Sequence, residues 1–247
     1  TSSLPPPAAY PTPSPDAVKT ATGPALTGSV ESGGFMPMNI ESRVTGFIEE
    51  NCYLVSNPDT RETVVLDPGD DAARLLARLQ NMQAVVVAYL LTHGHVDHVT
   101  ALAALADARP APVYLHPLDA AWCFTPRNDL PGFYAAPARP NAPLRPVAEG
   151  DVLELAGARW SVLDTPGHTP GGVCFRLEPD RALFTGDTLF RGTAGRTDLP
   201  GGDARELARS LRKLAALTDA LPIYPGHGDP STIGYEKTHN YFLQSLR

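Results

Sequence analysis

The chain has 247 residues, of which 43% are hydrophobic, enough for one sizeable core and short of two independent ones. A formal charge of −7 argues against a nucleic-acid partner, because gripping phosphate takes clustered Lys and Arg. No apolar run approaches the roughly 20 residues that span a bilayer, and the cytoplasm is the default compartment. The three cysteines, Cys52, Cys123 and Cys174, read as reduced packing residues.

In chain order, residues 1–35 are dense in Pro, Ser, Thr and Ala without helical or strand period, which predicts a disordered tail before a single folded domain at 36–247. The runs 52–55 and 63–66 read as strands. Residues 71–82 read as a helix, with Ala72, Leu75, Leu76 and Leu79 along one face and Asp70 or Asp71 as its cap. The valine-rich run 84–91 reads as a strand buried on both faces. A short helix is expected at 101–108 and a strand at 113–116. Segment 125–146, crowded with proline, reads as a long surface loop, in which Phe133 and Tyr134 either border a substrate pocket or pin the loop to the body.

Further strands are expected at 152–155, 159–163, 173–177 and 182–184. Asp203 and Glu206 have capping-box spacing at the start of a helix whose apolar stripe is Leu207, Leu211, Leu214 and Leu217. A strand at 221–224 and a closing helix at 232–246 complete the chain. Alternating β runs and amphipathic stretches are an α/β pattern, and two β-rich halves in succession suit a two-sheet sandwich flanked by helices.

Chemistry concentrates just past the 84–91 strand, where Thr92-His93-Gly94-His95-Val96-Asp97-His98 packs three imidazoles and a carboxylate together. A solvated polar turn does not need that density. Imidazole nitrogen and carboxylate oxygen are the ligands of divalent zinc or iron. Residues two apart point the same way, so His93 and His95 can share one metal while Asp97 and His98 are displaced toward a second. Three other segments run a strand into a glycine-rich turn that presents one ligand each: Thr165-Pro166-Gly167-His168, Thr185-Gly186-Asp187 and Pro225-Gly226-His227. His116 and His239 fall outside these segments and read as ordinary packing or surface residues.

Together with Val65-Leu66-Asp67-Pro68-Gly69, these segments resemble the metallo-β-lactamase-fold hydrolases, and within them the glyoxalase II-like (hydroxyacylglutathione hydrolase-like) branch, over residues 36–247. The resemblance implies a four-layer αββα sandwich. It implies that His93, His95 and His168 bind a first metal, that Asp97, His98 and His227 bind a second, and that Asp187 bridges both, making Asp97 and Asp187 the catalytic carboxylates. Asp67 would brace a metal-binding histidine from behind, and Arg196, in the loop after Asp187, would hold the glutathione carboxylate. The implied cofactor is a pair of divalent ions, zinc foremost, with iron or manganese compatible with the same ligands. The implied activity is hydrolysis of a small anionic thioester such as an S-acylglutathione by a metal-bridging hydroxide. An Asp at 187 argues against antibiotic hydrolysis, because β-lactamases of this fold commonly place a cysteine there or lack the bridge. The alternative within the same resemblance is a mononuclear iron persulfide dioxygenase, which shares the Gly195-Arg196-Thr197-Asp198 loop. No membrane partner is expected, and oligomeric state is left open.

Overall fold

The computed structural model describes residues 38–246, so the tail expected at 1–35 lies outside the described residues. The first half runs β1 (Asn39–Thr45), β2 (Glu50–Ser56), β3 (Glu62–Leu66), α1 (Ala72–Asn81), β4 (Val85–Leu90), α2 (Val96–Val99), α3 (Leu102–Ala108), β5 (Val113–Leu115), α4 (Pro117–Ala120) and β6 (Leu144–Pro146). The second half runs β7 (Val152–Leu155), β8 (Ala158–Asp164), β9 (Val173–Leu177), β10 (Ala182–Gly186), β11 (Leu189–Phe190), β12 (Thr193–Ala194), α5 (Ala204–Ala215), β13 (Pro222–Pro225), β14 (Ser231–Thr232), α6 (Ile233–His239) and α7 (Tyr241–Ser245). Among the described residues no helix is long and apolar enough to cross a membrane.

The strands form two six-stranded sheets, ordered β1-β2-β3-β4-β5-β6 and β14-β13-β10-β9-β8-β7, with β11 and β12 as a separate hairpin. Three apolar clusters fill three interfaces, which makes four layers. Cys52 and Leu54 of β2 pack with Leu75, Leu79, Leu102 and Leu105 of α1 and α3, while Tyr53 and Val55 turn the other way. That period-two alternation is what lets one strand serve two interfaces. Between the sheets, Val64, Leu66 and Leu90 meet Trp160, Val162, Phe175 and Phe184. On the far side, Cys174, Leu183 and Ile223 pack beneath Leu207, Leu211 and Leu214 of α5. The α/β sandwich expected from the residue pattern and the resemblance is the observed architecture.

Several local expectations need correction. The run at 84–91 is not buried on both faces throughout: Val85, paired with Glu62 at the rim of the sheet, is 55% exposed, and full burial begins at Ala88. Asp71 occupies the position before α1 but does not cap it. Its φ of 54° is left-handed, and its carboxylate instead accepts from Arg74 Nη1 at 2.6 Å and Gly46 N at 3.3 Å. The capping box of α5 is half made: Asp203 accepts from the N–H groups of Arg205 and Glu206, but its own N–H donates to the Gly167 carbonyl. Segment 125–146 is not all loop, since it contains a 3-10 turn at Pro126–Asn128 and ends in β6, which pairs parallel with β5. The closing helix is two helices broken at Asn240 (φ −85°, ψ 117°). The buried Asn240 carboxamide explains the break. Its oxygen caps Phe242 N at 3.0 Å, and its nitrogen donates to the carbonyls of Thr193 at 2.9 Å and Phe190 at 3.3 Å, fastening the β11–β12 hairpin.

Candidate metal centre

The ends of β3, β4, β8, β10 and β13 converge on one edge of the sandwich, and each delivers part of the cluster. The chain leaves β3 at Asp67, whose carboxylate organises the histidine segment. Its Oδ1 accepts from Thr92 N at 2.7 Å, and its Oδ2 accepts from the Thr92 hydroxyl at 2.6 Å and faces His98 Nδ1 at 3.2 Å. With the Thr92 hydroxyl hydrogen given to Asp67, that oxygen can accept from His93 Nδ1, 3.1 Å away. Both rings therefore aim Nε2 inward, where it can ligate a cation in the neutral form of the ring. His168 is fixed in the same way, with Nδ1 donating to the Arg196 carbonyl at 2.8 Å.

Two ligand sets result. Ligand atoms of His93, His95 and His168 lie within 4.8 Å of one another, and so do those of Asp97, His98 and His227. Asp187 stands between them: Oδ1 is 3.3 Å from His98 Nε2, and Oδ2 is 3.4 Å from His168 Nε2 and 3.7 Å from His227 Nε2. His227 Nε2 is also 3.4 Å from Asp97 Oδ2, and His95 Nδ1 is 2.8 Å from His168 Nε2. The seven residues singled out by sequence thus meet in one place. Among the described residues His116 and His239 stand apart, His116 accepting from Leu118 N near the start of α4 and His239 stacking on Tyr235.

Charge in the cluster is sharply divided. Burial holds His93 well below the ordinary imidazole range, and burial with the neighbouring His168 ring brings His95 down to about 4. Burial also works against charging His98, but the carboxylates of Asp187 and Asp97 together outweigh it and hold that ring well above its usual value. For Asp187, burial is likewise outweighed, here by the imidazoles of His98, His93 and His227, so its carboxyl lies well below the usual range.

His93 Nε2, His98 Nε2 and Asp187 Oδ1 are all buried without a hydrogen-bond partner. Each stranded atom costs on the order of 1–3 kcal/mol, and three of them facing one space fit a positive ligand. The donor set, imidazole and carboxylate, suits zinc, iron or manganese. These residues could hold two divalent cations, with Asp187 reaching both. Gly226 permits the close approach, since a Cβ there would lie 2.3 Å from Asp187 Oδ1 and 2.7 Å from a His98 ring carbon.

A cavity of about 510 Å³ opens over the cluster. Ile48, Val96, Trp122, Leu130 and Phe190 give it an apolar wall, and Arg127, Asp129 and Arg196 lie on its polar side. Arg196, expected to take a substrate carboxylate, is at this rim, but its guanidinium already makes two 2.7 Å hydrogen bonds to Asp198. Phe133 and Tyr134 do not line the cavity. They stack on Phe47, with centroids 4.9 and 5.1 Å apart, and so pin the loop.

Sequence reasoning missed Asp119. Fully buried in α4, it accepts from Gly94 N at 2.9 Å through one oxygen and from Gly171 N at 2.8 Å through the other, tying the histidine segment to the loop after His168. Asn128 adds a second tie, donating to the Gly94 and Cys123 carbonyls at 2.7 Å each. No motif spacing marks either residue, because their partners are distant in sequence. Asp119→Ala is expected to cost about 1–3 kcal/mol for each stranded N–H in denaturant unfolding. It should also weaken metal binding at the first set by about 10–100-fold; unchanged affinity would mean the clamp does not position these ligands.

Residues 45–227 match the model of the metallo-β-lactamase superfamily. The chain is 37% identical over 214 residues to hydroxyacylglutathione hydrolase GloC of Haemophilus influenzae, covering 84% of this chain and 99% of that one. Among solved structures it is similar to the BLEG-1 B3 metallo-β-lactamase, with a TM-score of 0.77 at 38% identity over 83% of this chain and 99% of the other. It is also similar to a protein crystallised in a di-iron-bound form, with a TM-score of 0.68 at 40% identity over 82% of this chain and 99% of the other.

Proposed function

The chain belongs to the metallo-β-lactamase superfamily, and from that membership and the two facing ligand sets we propose a binuclear hydrolase of thioesters such as an S-acylglutathione. The carrying observation is Asp187, whose two oxygens face His98 on one side and His168 and His227 on the other, at 3.3–3.7 Å. When bound, two divalent ions would supply Lewis acidity that brings a water's pKa down to about 7 and polarises a carbonyl. Zinc, iron and manganese all suit the ligands, and a relative of similar fold is described as di-iron-bound.

The chain's own residues do the rest. Asp67 and Thr92 fix the ring orientations of His98 and His93, and the Arg196 carbonyl fixes His168, so the cluster is organised before substrate arrives. Ile48, Val96, Trp122, Leu130 and Phe190 exclude water from the acyl group. Among the described residues that line the cavity there is no serine or cysteine, which favours water as the attacking group.

The leaving group follows from the same inventory. In this reading every imidazole and carboxylate of the two ligand sets is committed to cations, so none of these seven residues is spare to protonate a departing nitrogen. A thiolate, whose parent thiol has a pKa of about 8.5, departs without that help. The identity with a hydroxyacylglutathione hydrolase points the same way. A persulfide dioxygenase would need a single iron on three ligands, and the convergence of Asp97, His98 and His227 into a second set favours two cations.

The test is a substrate panel on metal-loaded protein. We expect turnover of S-lactoylglutathione and of simpler thioesters, with no oxygen uptake on glutathione persulfide. Cleavage of a β-lactam with all thioesters inert, or oxygen consumption with one iron per chain, would refute the assignment.

A further inference from the structure

We infer that Glu50 is a positioning residue for the Asp97, His98 and His227 set, and that it governs whether the centre holds one cation or two. The inference rests on the binuclear reading proposed above.

Glu50 opens β2 and is only 1% exposed. Its Oε2 accepts from the Thr45 hydroxyl at 2.7 Å, which aims Oε1 at His98 Nδ1, 3.8 Å away. Oε1 is buried without a hydrogen-bond partner. Asp67 Oδ2 lies 3.2 Å from the same nitrogen, so two carboxyl groups stand behind one imidazole. Packing does not require this, since an apolar side chain of the same length would fill the space without burying an unsatisfied oxygen.

Glu50 also touches the rest of the set. Its backbone forms an isolated antiparallel bridge with His227. The next residue, Asn51, holds the turn around His227: its N–H donates to the Gly226 carbonyl at 2.7 Å and its carboxamide to the carbonyls of Pro225 and Gly228 at 3.0 and 2.8 Å. At Gly69 a Cβ would lie 2.4 Å from Glu50 Oε2 and 2.0 Å from the Asp97 carbonyl, so the bare backbone there lets the carboxyl and the Asp97 turn share the space. One residue thus reaches His98 through its side chain, His227 through its main chain and Asp97 across a glycine. Ligands of the first set get their orientation elsewhere, His93 from Thr92 and His168 from the Arg196 carbonyl.

A hydrogen-bonded carboxyl behind a ligating imidazole is worth about 10–100-fold in metal affinity; Asp67 makes that contact, and Glu50, at 3.8 Å, backs the ring beyond hydrogen-bond reach, so its share is at the low end, about tenfold. The experiment is a zinc titration of full-length, metal-stripped protein against a competing chromophoric chelator, with melting of the metal-free protein as control. Wild type should take up two ions. Glu50→Gln should weaken the second by about tenfold and leave the first within about twofold, with the metal-free melting temperature unchanged. Thr45→Val, which frees Glu50 without removing it, should weaken the same ion to a smaller degree and stands in if Glu50→Gln does not fold. Two ions bound at wild-type affinity in both variants, or both affinities falling alike, would overturn the inference and leave the binuclear reading intact. A single ion in the wild type would overturn both.

Discussion

Asp187→Ala is expected to lower kcat/KM by on the order of 10³-fold, a larger loss than removal of a residue behind the ligands produces, because one carboxylate serves both sets. Metal content should fall with it, from two ions toward one. The neighbouring rings give the reason. Asp187 faces His98, His168 and His227 within 3.7 Å, and without it His98 and His227 keep only Asp97 as a shared carboxylate, while His168 loses its carboxylate neighbour. Asp187→Asn keeps the volume and removes the charge, so it should resemble alanine in activity and wild type in folding. Thioester turnover by Asp187→Ala within tenfold of wild type would show that the bridge is dispensable.

Stripping the protein with a chelator is expected to abolish turnover and lower the melting temperature together. Ligand binding to the native state stabilises by RT ln(1 + [L]/Kd), about 2.7 kcal/mol when free metal exceeds its Kd by 100-fold. For a domain of this size that is a shift of roughly 5–10 °C. The structural source of the effect is the set of buried atoms without partners, His93 Nε2, His98 Nε2 and Asp187 Oδ1, which regain partners when cations return. Adding back zinc, manganese or iron one at a time should restore both readouts and rank the metals. Activity persisting through exhaustive chelation, with melting unchanged, would contradict the metal reading.

The cluster could be read from the sequence because its residues advertise themselves. Three imidazoles and a carboxylate between His93 and His98 have no bland explanation, and each remaining ligand sits on a glycine turn at a strand end, where a side chain is presented and not packed. Period also exposed the layers: the alternation along β2 and the leucine stripe of α5 each mark one buried face. What stayed hidden depends on partners far along the chain. Asp119 looks like any helical aspartate until its oxygens are seen on Gly94 and Gly171. Glu50 looks like a polar strand start until Thr45 turns it onto His98. Strand β6 is three residues long and ends in proline, so only its pairing with β5 reveals it. The break at Asn240 follows from a hairpin some 50 residues earlier that its carboxamide holds. The resemblance singled out Arg196 but not its engagement with Asp198, a partner that any carboxylate taking the guanidinium would have to displace.

Whether two cations sit among these side chains is read directly by anomalous diffraction at a metal absorption edge from crystals of the loaded protein. Two peaks are expected, one within coordination distance of His93, His95 and His168 and one near Asp97, His98 and His227, with Asp187 reaching both. A single peak, or metal bound away from these side chains, would contradict the binuclear reading.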